Sequence, residues 1–79
     1  MTPTIYRSGG YRFFFFSREE PRVHVHIAAS DREAKFWLAP EIELAKNFNF
    51  SRKELREIEA IIEEHRDEFV AAWRKHFDS

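Results

Sequence analysis

Residues 11–27, YRFFFFSREEPRVHVHI, decide how the chain is read. Four phenylalanines, Phe13 to Phe16, run in succession. A charged connection with Pro21 follows, and then Val23, Val25 and Ile27 alternate with His24 and His26. Alternation at period two belongs to a strand with two unlike faces. A strand apolar on both faces, as 13–16 would be, is normally covered on both.

Working towards the N-terminus, residues 4–8 (TIYRS) read as a short strand and Gly9-Gly10 as a two-residue turn. A type I′ turn needs positive φ at both central positions, which glycine supplies without steric cost. That turn sets Ser8 opposite Tyr11, Arg7 opposite Arg12 and Tyr6 opposite Phe13. One face of the hairpin then carries Arg7, Arg12, Phe14 and Phe16, and the other carries Tyr6, Tyr11, Phe13 and Phe15. The second strand is expected over 11–17.

Working towards the C-terminus, 23–29 is a strand, Ser30-Asp31-Arg32 a turn, and 33–39 (EAKFWLA) the next strand, with Lys35 and Trp37 opposite Ala34, Phe36 and Leu38. Pro40 interrupts it. Ile42 and Leu44 suggest a short fifth edge strand, and Asn47-Phe48-Asn49-Phe50 reads as a loop. Ser51-Arg52-Lys53-Glu54 is a capping box, in which hydroxyl and carboxylate each satisfy the other residue's amide. No Gly or Pro interrupts 52–77, and Leu55, Ile58, Ile62, His65, Phe69, Ala72, Trp73 and His76 form one stripe at three–four spacing. A helix of about 26 residues spans roughly 39 Å, and a six-residue strand only about 20 Å. The helix should therefore overhang the sheet, bend, or break near His65–Asp67, leaving Phe69, Trp73 and Phe77 in need of cover.

The expected class is α+β: a small antiparallel sheet of four to five strands, N-terminal hairpin first, packed on one face by a long C-terminal helix. The 79 residues read as one domain, with the sheet in 1–46 and the helix in 51–77. A chain this short buries only about 60% of its extended surface. There is no cysteine, in keeping with a cytoplasmic protein and excluding thiolate metal sites. No apolar run is long enough to span a membrane. Residues 1–40 hold six basic and four acidic side chains and 41–79 hold seven and ten, so the chain is not a basic nucleic-acid domain.

One helix covers one face of a small sheet. The other face, with Phe14 and Phe16 or Trp37, is then left to a homodimer, a protein partner or stacked nucleotides. On it, His24 and His26 at i and i+2 point the same way, their Cα atoms roughly 6.5–7 Å apart. That spacing suits an acid–base pair titrating near neutral pH, or two ligands of one metal ion. A zinc site needs a third or fourth ligand, and His65 and His76 fall on the helix stripe, away from the pair. Structural or interface histidines are the plainer reading. Opposed Arg7 and Arg12 call either for a salt bridge to a helix glutamate or for a phosphate held by guanidinium forks, with Phe14 and Phe16 as a stacking platform for single-stranded RNA. Trp37 and Trp73 read as core or interface anchors. No cofactor motif is present.

The succession Thr4-Ile5-Tyr6-Arg7, Gly10, Phe13-Phe14-Phe15, Ser17, Glu20-Pro21, His24-Val25-His26, Ala34-Lys35-Phe36-Trp37-Leu38, Leu44-Ala45 and Leu55-Arg56-Glu57-Ile58 through Trp73 and Phe77 resembles the bacterial domain-of-unknown-function family 4160. The resemblance covers essentially the whole chain, and His-Val-His after a proline is its most specific part. It implies a small protein of a toxin–antitoxin-like gene pair, with a neighbour-encoded small protein of family 2442 as partner, and an RNA-directed activity as the alternative. His24 and His26 match its His-x-His positions and Arg7 its early arginine. It brings no catalytic role with it.

Overall fold

The computed structural model describes residues 4–15 and 21–78. Five strands, β1 (Thr4–Ser8), β2 (Tyr11–Phe14), β3 (His24–Ala29), β4 (Arg32–Trp37) and β5 (Glu43–Phe48), precede one helix, α1 (Arg52–Asp78). Every pairing is antiparallel and the strands lie in chain order, β1-β2-β3-β4-β5. The α+β class and the helix on one face are as the sequence indicates.

The glycine turn sets the register. Gly9 and Gly10 have φ of 55° and 85°, and Ser8, Arg7 and Tyr6 pair with Tyr11, Arg12 and Phe13. From there the pairing carries each residue type across the sheet. Phe13, Ile27 and Ala34 form one row, and Phe14, His26, Lys35 and Lys46 form the next, on the opposite face. The first face is the core. Phe13, Phe15, Val25, Ile27, Phe36 and Leu38 pack there with Phe50 and with Ile58, Ile62 and Phe69 of α1. Each large apolar side chain taken from water contributes about 1.5–3 kcal/mol.

Four expectations need correction. The helix does not break at His65–Asp67: α1 is continuous, and Phe69 is in the core while Trp73 and Phe77 pack at its margin. His76, assigned to the apolar stripe, is exposed. Asn47 and Phe48 belong to β5, because a bulge lets the strand run on. Lys35 pairs with Lys46 but Phe36 with Leu44, so Ala45 is the extra residue, and faces after it are reversed relative to a regular strand. The β3–β4 turn is the two residues Ser30 and Asp31, with Arg32 already in β4. Part of the expected second strand, including Phe16, lies outside the described residues.

Helix and sheet are tied at both ends. Glu54 N–H donates to Ser51 Oγ (3.2 Å) and Ser51 N–H to Glu54 Oε1 (3.0 Å), the reciprocal cap expected from the sequence. That carboxylate also meets Arg32 of β4. Its pKa is held below the usual value, first by the Ser51 amide and then, against a desolvation cost, by Arg32. Further along, Arg66 Nε–H donates to Leu38 O at 2.9 Å, fixing the chain after β4 to the helix.

Candidate functional site

The sheet face turned away from the core carries three rows. Arg7, Arg12, Ala28, Glu33 and Phe48 make the first. Thr4, Phe14, His26, Lys35 and Lys46 make the second, and His24, Trp37 and Glu43 the third. All the nominated site residues except Phe16, which is outside the described residues, therefore come together on this one face.

Its aromatic rings are not bare. The Arg12 guanidinium lies 4.5 Å from the Phe14 ring centroid, and His26 stacks beside Phe14 at 5.6 Å. Arg22 and Lys35 each approach the Trp37 ring to 4.6 Å. A cation over an aromatic face is attracted by the ring quadrupole and removes apolar surface from water. Phe14 is accordingly only 2% exposed, and Lys35 7%. This changes the expectation of a bare apolar face awaiting cover. It also bears on the stacking platform, since a base reaches Phe14 only if Arg12 swings away. Among the described residues, the exposed large hydrophobics are Phe48, at 62%, and Leu44, at 45%. Phe48 is on this face by its pairing with Glu33, and Leu44 on the core side by its pairing with Phe36.

His24 is fully buried. Its Nδ1 lies 2.6 Å from Arg22 O, which only accepts, so Nδ1 carries the proton. Three rings stand edge-on to it: His26 at 5.3 Å, Trp37 at 5.8 Å and Trp73 of α1 at 6.4 Å. The register puts His24 opposite the core face, yet the C-terminal part of α1 still reaches it through Trp73. His26 is half-buried. The two histidines are thus adjacent but unequal, and a substrate reaches only His26 without displacing other side chains. Among the described residues no group of three or more His, Cys, Asp or Glu is placed to hold a metal ion. His65 is elsewhere, between Tyr6 (4.4 Å) and Phe69 (5.8 Å), with Nδ1 3.2 Å from Glu68 Oε1.

The salt bridge considered for Arg7 and Arg12 does not form, because α1 lies on the other side of the sheet. Among the described residues neither arginine has an ion pair. Arg12 Nε is buried without a hydrogen-bond acceptor. An open depression of about 330 Å³, lined by Arg7, Ser8, Gly9, Gly10, Tyr11 and Arg12, adjoins the pair.

With this arrangement in view, the comparison with known families is informative. The family model described as Domain of unknown function (DUF4160) matches residues 10–74. The chain belongs to this family. The DUF4160 match takes in β2 to β5 and most of α1, and so most of the open face, with Arg12, both histidines, Trp37 and Phe48. No curated protein and no solved structure matches the chain. No helix among the described residues is long and apolar enough to cross a membrane.

Two contributors were not singled out from the sequence. Arg22 does three things at once: its Nε–H donates to Ala39 O (2.9 Å), it pairs with Glu43 (2.8 Å), and its guanidinium lies over Trp37. Its partners lie at 39 and 43, so only the closed β3–β5 arrangement brings them together. Phe48 reads as a loop residue in the sequence because the bulge at Ala45 breaks the alternation that identifies a strand.

Proposed function

We propose that this DUF4160 chain is a protein-interaction module, docking a partner on the β4–β5 half of the open face with Phe48 as its anchor. The observation that carries the reading is the 62% exposure of Phe48 on a sheet face that has no second layer of secondary structure among the described residues. Around it stand Glu33, Lys35, Lys46, Trp37 and Glu43, a patch with both charge signs and two aromatic side chains. Aromatic anchors within a polar rim are the anatomy of protein interfaces. A nucleic acid would be better served by a patch of one sign.

The partner does not join as an added strand. Both edge strands are bulged, β1 at Ile5 and β5 at Ala45, and bulged edges are poor templates for pairing. The occupant is a protein seated on the face. The family resemblance names the candidate: the small protein encoded beside this one in a toxin–antitoxin-like gene pair.

Co-expression with that neighbour, followed by calorimetry on the purified pair, tests the reading. Phe48→Asp should weaken binding by about thirtyfold or more, the loss of a hot-spot anchor worth about 2 kcal/mol, with no change in thermal stability. Unaltered affinity in Phe48→Asp sinks the reading. A dimer of this chain alone, split by Phe48→Asp in light scattering, would make the occupant a second copy.

A second reading, an RNA-acting protein with His24 and His26 as acid and base, is favoured by their edge-on contact at 5.3 Å among cations. The complete burial of His24 weighs against it. Equal RNA cleavage by the parent and a His24→Ala/His26→Ala variant would dispose of it.

A further inference from the structure

We propose that Arg7 and Arg12 form a binding site for the dianionic phosphate of a phosphate monoester, at the hairpin end of the open face. The two residues are directly opposed across β1 and β2. Like charges so placed destabilise a hairpin, and among the described residues no ion pair offsets them. No described acidic side chain of α1 makes an ion pair with either of them. Glu33 shares their row but lies two strands beyond Arg12, across Ala28, about 10 Å by strand spacing, and makes no ion pair with it. Arg12 adds a second unmet demand, since its buried Nε–H has no acceptor. A buried donor left unpaired is among the more expensive defects in a folded chain.

One ligand answers the paired charges through the terminal guanidinium nitrogens, and it reaches the buried Nε–H once the Arg12 side chain shifts on Phe14. Phosphate oxygens accept parallel N–H bonds from guanidinium groups, and a monoester carries close to two negative charges at neutral pH, matching two arginines. A diester or a single carboxylate brings only one. The setting admits such a group. Gly9 and Gly10 carry no side chain over the depression, and a Cβ at Gly10 would meet nothing within 4 Å. The depression is open on one side, leaving the ester's remaining part in solvent. Arg12 stacks on Phe14, whereas exposed Arg7 can close from the opposite strand.

This site stands apart from the Phe48 docking surface, and its test needs only the chain itself. Amide resonances of the 79-residue chain are followed while phenyl phosphate, a monoester, or dimethyl phosphate, a diester, is added at constant ionic strength. Phenyl phosphate should saturably shift the amides of residues 7–12, at least tenfold more tightly than dimethyl phosphate. Arg7→Gln should lose at least tenfold of that affinity with a melting temperature no lower than the parent's, and Arg7→Lys should regain part of it. Equal responses to the two esters, or full affinity in Arg7→Gln, would overturn the assignment. Arg7 is the residue to vary, because replacing Arg12 also uncovers Phe14.

Discussion

Phe13 and Phe14 are neighbours in the chain and both are almost completely buried, yet they are buried by different physics. Phe13 lies in the helix-facing core, with Phe69 at 5.5 Å and Tyr6 at 5.8 Å between ring centroids, and Ile58 and Ile62 in the same cluster. Phe14, on the other face and outside that cluster, lies beneath the Arg12 guanidinium and beside the His26 ring. The first surrounding is close-packed and apolar, and collapses only partly around a void. The second includes a long charged side chain whose stem can follow a smaller neighbour. Low exposure therefore has two meanings in this sheet. On one face it marks the cohesive core, and on the other a surface already dressed with cations.

The sharpest way to break that contrast is a pair of truncations. Phe13→Ala should cost about 3–5 kcal/mol, as large-to-small changes in close-packed cores do. That is most of the stability available to so small a protein, so chemical denaturation should find it largely unfolded. Phe14→Ala should cost about 2 kcal/mol or less, because Arg12 and His26 can settle into the vacated space. Equal costs would mean that the two faces are one core and that the open face is no surface.

The histidines give the next contrast, within the open face. His24→Ala removes a fully buried ring and its hydrogen bond to Arg22 O, and should cost about 2–3 kcal/mol. His26→Ala removes a half-buried ring and should cost about 1 kcal/mol or less. Denaturation midpoints of the two variants measure this directly. If His26→Ala is the more damaging, His26 is the structural residue and His24 has more freedom than its burial implies.

How much of this was legible follows from which interactions are local. The Gly9-Gly10 turn dictates the first register, and alternation in 23–29 carries it onward, so the partition into core face and open face could be read directly. Placing Arg7 opposite Arg12, and Val25 and Ile27 away from His24 and His26, needs nothing beyond turn geometry and period two. The cover over Phe14 was within reach as well, since Arg12 stands two residues away on the same face. What escaped is what depends on distant closure. Arg22 takes its role only once 39 and 43 fold beside it. The exposure of Phe48 depends on the bulge at Ala45, which period-two reading treats as the end of a strand. The burial of His24 needs Trp73, 49 positions further along by the numbering.

A smaller effect probes the tie between helix and sheet. The reciprocal Ser51–Glu54 cap stands outside both faces, so Ser51→Ala should cost about 1 kcal/mol, the usual value of a lost N-cap. It should not disturb the amides of residues 7–12 or of the β4–β5 surface. Any wider perturbation would show that the helix start, through the Glu54–Arg32 contact, controls the sheet itself.

The gentlest test lies at the polar margin of the core, where Tyr11 donates its phenol hydrogen to Glu57 Oε1 at 2.9 Å. Burial, then the bond to Glu57 and its charge, push the Tyr11 pKa from 10.0 up to about 12, against a smaller opposing effect of Arg32. The folded state therefore favours the protonated phenol. The resulting stabilisation is complete below the unfolded value of 10.0 and is lost as pH rises from there towards about 12. In Tyr6→Phe, whose tyrosinate absorbance reports Tyr11 alone, ionisation of the folded protein should be centred near 12. Unfolding free energy measured at successive pH values should fall above pH 10 in the parent, and Tyr11→Phe should lack that part of the fall. A Tyr11 that ionised near 10 would place its hydroxyl in water. The core face would then end at Phe13, one row short of the turn, and the line between the two faces would have to be redrawn there.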